Sequence, residues 1–236
     1  MASEVFRIIR RLHLSKHFSD EMVLSTLAYK PQPGDLFLAS YPKSGSTWTQ
    51  HIMYNILMDA EQSTNPFDLL IRFPCLELQG AEAAVHAPKP SVFRSHLPFN
   101  KIPYSPEAKY VYIARNPYDS CVSFYYHTRD IPFYRFRNGT FDQFFELFMQ
   151  GRVEHGEYFE NVISWYEHRN DSNVLFLTYE ELKKDTRDNV LKIAAFMGPE
   201  REEKLRKDPE LINRVLENTS LEHMKRLLNY DAQKPP

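Results

Sequence analysis

Apolar residues recur along this chain in short runs and in helical stripes, and the two kinds of segment alternate. Asp35 to Ala39 (DLFLA), bounded upstream by Pro33-Gly34, predicts a short strand. Trp48, Ile52, Met53, Ile56 and Leu57 then recur at helical spacing, which predicts a helix from about Ser46. Ser91-Val92-Phe93, Lys109 to Ala114 (KYVYIA) and Asn173 to Leu177 (NVLFL) predict three further strands. The middle one is apolar on both faces, as in a parallel sheet covered by helices. Phe141, Phe144, Phe145 and Phe148 mark one helical face, and Phe159, Val162, Ile163 and Tyr166 a second. Val190, Ile193, Ala194 and Met197 mark a third, and Thr178–Glu181 and Thr219–Glu222 have the spacing of capping boxes. Residues 4–28 read as one or two short amphipathic helices with Val5, Ile8, Ile9 and Leu12 on one face. Residues 60–90, with Pro66, Pro74, Pro88 and Pro90, show little regular pattern, as a binding loop or lid would.

Strands alternating with helices predict an α/β fold, a single domain over residues 1–236 with a mostly parallel central sheet flanked by helices. Ligands of such sheets sit at the C-terminal ends of the strands. Lys43, His96, Arg115 and Tyr179 each fall just beyond a predicted strand end.

Composition narrows the classes. A chain of 236 residues can bury a substantial core. Its net charge of −2 argues against a general nucleic-acid binder. Cys75 and Cys121 are the only cysteines, too few for a disulfide framework or a cysteine-based zinc site, and no metal is expected. The N-terminus carries Arg7, Arg10 and Arg11 but no apolar signal segment, and no apolar run approaches the length of a membrane span. The expectation is a cytoplasmic protein without a membrane or nucleic-acid partner. The sequons at Asn138, Asn170 and Asn218 carry little weight without a secretion route.

The most informative stretch is Ser40-Tyr41-Pro42-Lys43-Ser44-Gly45-Ser46-Thr47-Trp48. A strand, a turn holding Lys, Gly and hydroxyls, then a helix makes an anion site, because the first N–H groups of a helix lack internal partners and its dipole favours negative charge. Lys43 adds a mobile cation, Gly45 allows close approach of the backbone, and Ser44, Ser46 and Thr47 add donors. The order differs from the G-x-x-x-x-G-K-[ST] loop, since here the lysine precedes the only glycine. Each residue also has an ordinary role: hydroxyls cap helices, Trp48 fits a core, Arg115 pairs with Asp119, and a lone histidine at a strand end is usually structural.

Five motifs in register, YPKSGSTW (41–48), SHLP (95–98), ARNPYDSCVSFYYH (114–127), LTYEELKKD (177–185) and NTSLEHMKRLLNY (218–230), resemble the cytosolic sulfotransferase family over nearly the whole chain. The resemblance implies transfer of a sulfuryl group from 3′-phosphoadenosine 5′-phosphosulfate (PAPS) to a hydroxyl or amine of a small acceptor, without a metal. It implies that Lys43, Ser44, Gly45, Ser46 and Thr47 hold the 5′-phosphosulfate and that Trp48 stacks on the adenine. Arg115 and Ser123 would hold the 3′-phosphate, Tyr179 and Thr219 would contact the adenosine, and His96 would act as general base.

Arg94 stands where family members commonly carry lysine, two residues before the catalytic histidine. The sequence ends at Asp231-Ala-Gln-Lys-Pro-Pro236, ahead of the R-K-G-x-x-G-x-W segment with which the family normally continues. The 3′-phosphate would then lose at least two charge-assisted contacts, each worth about 1.5–3 kcal/mol. Either this is a truncated or alternatively spliced form, or another segment supplies the cations; the alternative to an active sulfotransferase is a catalytically impaired relative that retains only nucleotide or ligand binding. The family's dimerising motif is also absent, which predicts a monomer or weak dimer. A kinase using the 41–48 loop is disfavoured by its Lys–Gly order. Residues 60–90 and 127–140 would shape the acceptor pocket, and their aromatics (Phe67, Phe73, Phe133, Tyr134, Phe136) favour an apolar or planar acceptor.

Overall fold

The computed structural model describes residues 6–61 and 67–232. In chain order these form β1 (Phe6–Ile9), β2 (Leu12–Ser15), α1 (Asp20–Ala28), β3 (Leu36–Ser40), α2 (Ser46–Leu57), α3 (Asp68–Arg72), α4 (Leu76–His86), β4 (Phe93–Ser95) and β5 (Lys109–Ala114). Then come α5 (Pro117–Asp130), a 3₁₀ turn at Pro132–Tyr134, α6 (Phe141–Met149), α7 (Tyr158–Tyr166), β6 (Val174–Thr178), α8 (Tyr179–Lys184), α9 (Thr186–Met197), α10 (Pro199–Lys207), α11 (Pro209–Asn218) and α12 (Leu221–Ala232). They fall into two compact units, residues 1–46 with 70–180 and residues 47–69 with 181–236.

The first unit holds a four-stranded sheet in the order β4-β3-β5-β6, with every pair parallel. All five residues of β3 and the last five of β5 are buried, as their unbroken apolar runs predict. Helices flank the sheet. Phe37 stacks on Tyr110 at 4.9 Å and Tyr112 on Trp165 at 4.9 Å, while Phe37 meets Phe93 edge-on at 5.3 Å, so aromatic pairs are built into the sheet's core among aliphatic residues. A second cluster gathers Tyr41, Phe124, Phe144, Phe148 and Tyr158 from the 41–46 loop, α5, α6 and α7.

Two parts of the chain differ from expectation. Residues 6–15 are an antiparallel hairpin rather than helix, with Ile9 opposite Leu12, and helix begins only at Asp20 behind the Ser19 cap. Its two turn residues, Arg10 and Arg11, both adopt positive φ (50° and 65°), a two-residue turn written in residues that ordinarily do not signal one. Ile9 and Leu12 match helical spacing only because they face each other across that turn; Val5 lies outside the described residues. Residues 60–90 are likewise more regular than their prolines suggest. The stretch contains α3 and α4, with Pro74 and Pro88 flanking α4 rather than interrupting it, and Pro66 lies outside the described residues. The α4 face that is buried carries Leu76, Glu77, Gly80 and Ala84, which is too small and polar to read as an apolar stripe. Strand β4 runs Phe93–Ser95, two residues later than predicted at both its ends.

The second unit packs α9, α10 and α11 around Val190, Ile193, Ala194, Leu205, Leu211, Ile212 and Val215. Asn218 donates from Nδ2 to Asn55 Oδ1 at 2.9 Å, and Lys204 pairs with Asp59 at 2.7 Å. The predicted Thr219–Glu222 capping box is not the one that forms. Thr219 donates its hydroxyl back to the Val215 carbonyl, and Ser220 Oγ accepts from His223 N at 3.2 Å.

Candidate functional site

The strand order decides where a site can lie. Chain direction around the sheet reverses between β3 and β5, because β4 joins one side of β3 and β5 the other. At such a switch point the connections leave in opposite directions and open a crevice beyond the C-terminal strand ends. Register then fixes the residues: Ser40 lies opposite Ile113, and Ala39 opposite Ser95. Lys43, His96, Arg115 and Tyr179 consequently emerge along one sheet edge, each within a few residues of the end of β3, β4, β5 or β6.

The 41–46 loop is tightly wound. Tyr41 is buried and anchors it, donating its hydroxyl to the Gly156 carbonyl at 2.9 Å. Lys43 has φ 66° and Gly45 φ 108°. Left-handed backbone at a residue other than glycine costs on the order of 1 kcal/mol and is held by its surroundings. At Gly45 a Cβ would stand 2.8 Å from the Tyr179 ring, so only glycine fits beneath that ring. Ser44 is fully buried and its hydroxyl has no hydrogen-bond partner among the described residues, an orphan in a place where such groups are normally paired. Helix α2 starts at Ser46, with Thr47 exposed in its first turn.

Arg115 closes the loop from the neighbouring strand. Its Nη1 donates to the Lys43 carbonyl at 3.2 Å, and its guanidinium lies 4.5 Å from the centre of the Tyr179 ring. Tyr158 donates its hydroxyl to the Arg115 carbonyl, and Asn116 caps α5 by accepting from Tyr118 N. The pairing with Asp119 stretches to 4.0 Å, so the guanidinium is shared rather than neutralised there. Burial, and then the charge of Arg115, lower the pKa of Lys43. Two cations thus crowd one loop, an arrangement that an anion would relieve. Ser123 lies half-buried in α5.

His96 is held on three sides. Its backbone N–H donates to Glu77 Oε1 at 2.6 Å, its carbonyl accepts from Asn161 Nδ2 at 3.0 Å, and its Nδ1 lies 2.8 Å from the Ser40 carbonyl. A ring nitrogen facing a carbonyl carries the proton, which leaves Nε2 as the lone-pair nitrogen. Burial, and then the charge of Arg94, pull its pKa down to about 4, so the ring is neutral at physiological pH. Lys43 also lowers it, and lowers that of His127, which burial takes to about 4. His155 packs edge-on against the His96 ring at 5.0 Å.

In the second unit two of the predicted residues meet. Trp48, almost fully buried, donates its indole N–H to the Thr219 carbonyl at 2.7 Å.

A family model described as "Sulfotransferase domain" matches residues 33–232. The chain belongs to the sulfotransferase family. It is 35% identical to the amine sulfotransferase of Oryctolagus cuniculus over 196 residues, 81% of this chain and 63% of that protein. To sulfotransferase 1E1 of Homo sapiens it is 35% identical over 208 residues, 84% of this chain and 68% of that protein. The chain therefore spans about two thirds of the length of these two curated relatives. Among solved structures, mouse sulfotransferase SULT7A1 complexed with PAP superposes with a TM-score of 0.79 at 31% identity, covering 94% of this chain and 76% of that one. Retinol dehydratase, in complex with androsterone and the inactive cofactor PAP, shares the fold with a TM-score of 0.75 at 24% identity over 91% of this chain and 72% of that one. Among the described residues, no helix of this sulfotransferase-family chain is long and apolar enough to cross a membrane.

Sequence reasoning missed Glu77, the residue that holds the turn at His96. Its Oε1 accepts from both the Ser95 hydroxyl (2.7 Å) and the His96 N–H, and its Oε2 faces the Cys75 thiol. Burial raises its pKa against those hydrogen bonds. An acid inside a segment read as irregular gives no signal of this kind. Glu77→Ala leaves two buried donors unpaired and is expected to cost about 1–3 kcal/mol per donor, whereas Glu77→Gln keeps an acceptor and costs less. Urea unfolding of both variants checks this, and equal losses would contradict it.

The histidines give a second expectation. His96, His127 and His155 are all lowered in the folded chain. Between the ordinary histidine value near 6.5 and about 4, the unfolded chain binds protons at His96 and His127 that the folded chain does not, and burial shifts His155 in the same direction. Each therefore withdraws stability as pH falls through that window, and none contributes above it. An NMR titration should show the His96 and His127 rings taking protons only near pH 4; ring resonances titrating near 6.5 would contradict the assignment.

Proposed function

We propose that this chain transfers a sulfuryl group from PAPS to the hydroxyl or amine of a small acceptor, with no metal. What supports the reading most is the convergence of Lys43, His96 and Arg115 at the C-terminal ends of three adjacent parallel strands, with a neutral imidazole within the electrostatic reach of Lys43. The likeness to a sulfotransferase complexed with PAP supports the choice of donor.

The residues divide the work by chemistry. Ser44, Gly45, Ser46 and Thr47, at the start of α2, hold the 5′-phosphosulfate, and the orphaned Ser44 hydroxyl fits such a ligand. Arg115 and Ser123 hold the 3′-phosphate, to which a planar guanidinium offers two parallel donors. Trp48, Tyr179 and Thr219 contact the adenosine. His96 Nε2 takes the proton as the acceptor oxygen or nitrogen bonds to sulfur. The sulfur–oxygen bond to the phosphate breaks, its electron pair stays on that oxygen, and Lys43 neutralises the charge that appears there. The negative donor also raises the His96 pKa from about 4 toward neutrality, which makes it a better base once the donor is bound. The domain acts as a cytoplasmic monomer or weak dimer. The surviving alternative is a relative that binds nucleotide without turning over.

His96→Ala should lower turnover by about 10²–10⁴-fold, the range of general acid–base catalysis, while leaving nucleotide affinity nearly unchanged. Lys43→Ala should damage both. Steady-state kinetics together with calorimetric titration of 3′-phosphoadenosine 5′-phosphate (PAP) separates the two effects. Equal losses of nucleotide binding in both variants would make His96 structural, and binding without any turnover in the unmodified protein would favour the alternative.

A further inference from the structure

The first unit contains a cavity of about 620 Å³ that is lined by none of the residues assigned above to catalysis or donor binding, though Tyr134 and Phe136 of the 127–140 stretch line it. It lies between the hairpin strand β1, the 3₁₀ turn, the 135–139 loop and helix α6. Its apolar surface comes from Phe6, Tyr134, Phe136, Phe144 and Leu147. Its charged lining is Arg135, Arg137 and Arg152, opposed by the single carboxylate Glu146. All three arginines are exposed, so their guanidinium groups remain hydrated and mobile. Arg152 engages only the Gln150 amide among these groups, and Arg137 also lies near enough to Asp130 to lower its pKa.

A buried polar contact lies at Tyr134 in the cavity lining, whose ring also meets that of His127 at 5.8 Å. Tyr134 donates its hydroxyl to Glu154 Oε2, while Glu154 Oε1 accepts from Ser15 N at 3.3 Å, and both side chains are buried. Val153 and His155, on either side of Glu154, face opposite ways. Val153 lines the cavity, whereas His155 packs against His96 and Phe18. Seven residues of the 127–140 stretch expected to shape the acceptor pocket line this space, whereas His96 and Lys43 do not.

We infer that the cavity is a second small-molecule site for an amphiphilic organic anion, an aromatic or alicyclic body carrying one sulfate, sulfonate or carboxylate. Its volume is that of a ligand pocket, which commonly holds about 300–1,000 Å³. Aromatic walls suit a flat apolar body, and guanidinium groups at the edge suit a planar or tetrahedral anion bound through paired donors. A nucleotide or another highly charged ligand would strand its charge against the Phe136 and Phe144 walls. The one-sided charge, three guanidinium groups against one carboxylate, selects an anion over a neutral or cationic body of the same shape.

The probe is 8-anilinonaphthalene-1-sulfonate, followed by its fluorescence with the unmodified full chain, alongside N-phenyl-1-naphthylamine, which has the same body without the sulfonate. The expected result is saturable one-to-one binding of the sulfonate, about tenfold or more tighter than the neutral compound. Saturating PAP should leave it in place, and it should not compete with acceptor in turnover. The double variant Arg137→Ala, Arg152→Ala should weaken binding about tenfold, and Leu147→Trp should abolish it by filling the space. Should Leu147→Trp fail to fold, the exposed arginine variant decides alone. No saturable binding, equal affinity for the neutral compound, displacement by PAP, competition with acceptor, or undiminished binding in the arginine variant would each overturn the inference. The binding measurement does not depend on whether sulfuryl transfer occurs.

Discussion

The hydrogen bond from Arg115 to the Lys43 carbonyl is the contact on which the candidate site depends. It exists because β3 and β5 pair in parallel with Ser40 opposite Ile113, which brings the residues after both strands to the same edge. It also imposes a cost, since it sets a guanidinium beside a half-buried ammonium and lowers the lysine's pKa. Like charges held together in a partly dry crevice are unfavourable in isolation and become favourable only with an anion between them. An anion bound there would relieve a repulsion built into the folded chain.

Around that contact the fold commits buried polar groups to fixing positions rather than to chemistry. Glu77 from α4 holds the turn at His96, Asn161 from α7 links the His96 carbonyl to the Tyr112 hydroxyl, and Trp165 donates to the Leu97 carbonyl. These side chains hold the backbone on both sides of the imidazole, so Nδ1 stays against Ser40 and Nε2 is left available. Each buried donor or acceptor would be costly alone, and together they specify one orientation of the ring.

The strands and their ends were legible because the parallel sheet is buried on both faces, which writes DLFLA and KYVYIA as unbroken apolar runs closed by Lys, Arg or Pro signals. The crevice followed from those ends, and the residues beyond them met as expected at Lys43 and Arg115. Where buried faces carry small or polar groups, periodicity fails. Helix α4 hid behind Glu77, Gly80 and Ala84, and with it the residue that holds His96. The hairpin hid because Arg10-Arg11 does not look like a turn, although both residues adopt the conformation one requires. At Thr219, spacing was right for a cap, but the hydroxyl bonded backward within α11 and Ser220 took the role. Of the cavity beside Tyr134, the sequence pointed only to the aromatics of 127–140 as pocket-forming; the rest of its lining comes from separate segments that no local pattern joins.

The central claim is that the crevice between β3 and β5 binds a nucleotide with a 3′-phosphate. Calorimetric titration of the unmodified chain with PAP, set beside adenosine 5′-phosphate and repeated with Arg115→Ala, tests it most directly. The account predicts micromolar one-site binding of PAP, much weaker binding of the nucleotide lacking the 3′-phosphate, and loss of that preference in the variant. Absence of PAP binding, or equal affinity for the two nucleotides, would contradict it.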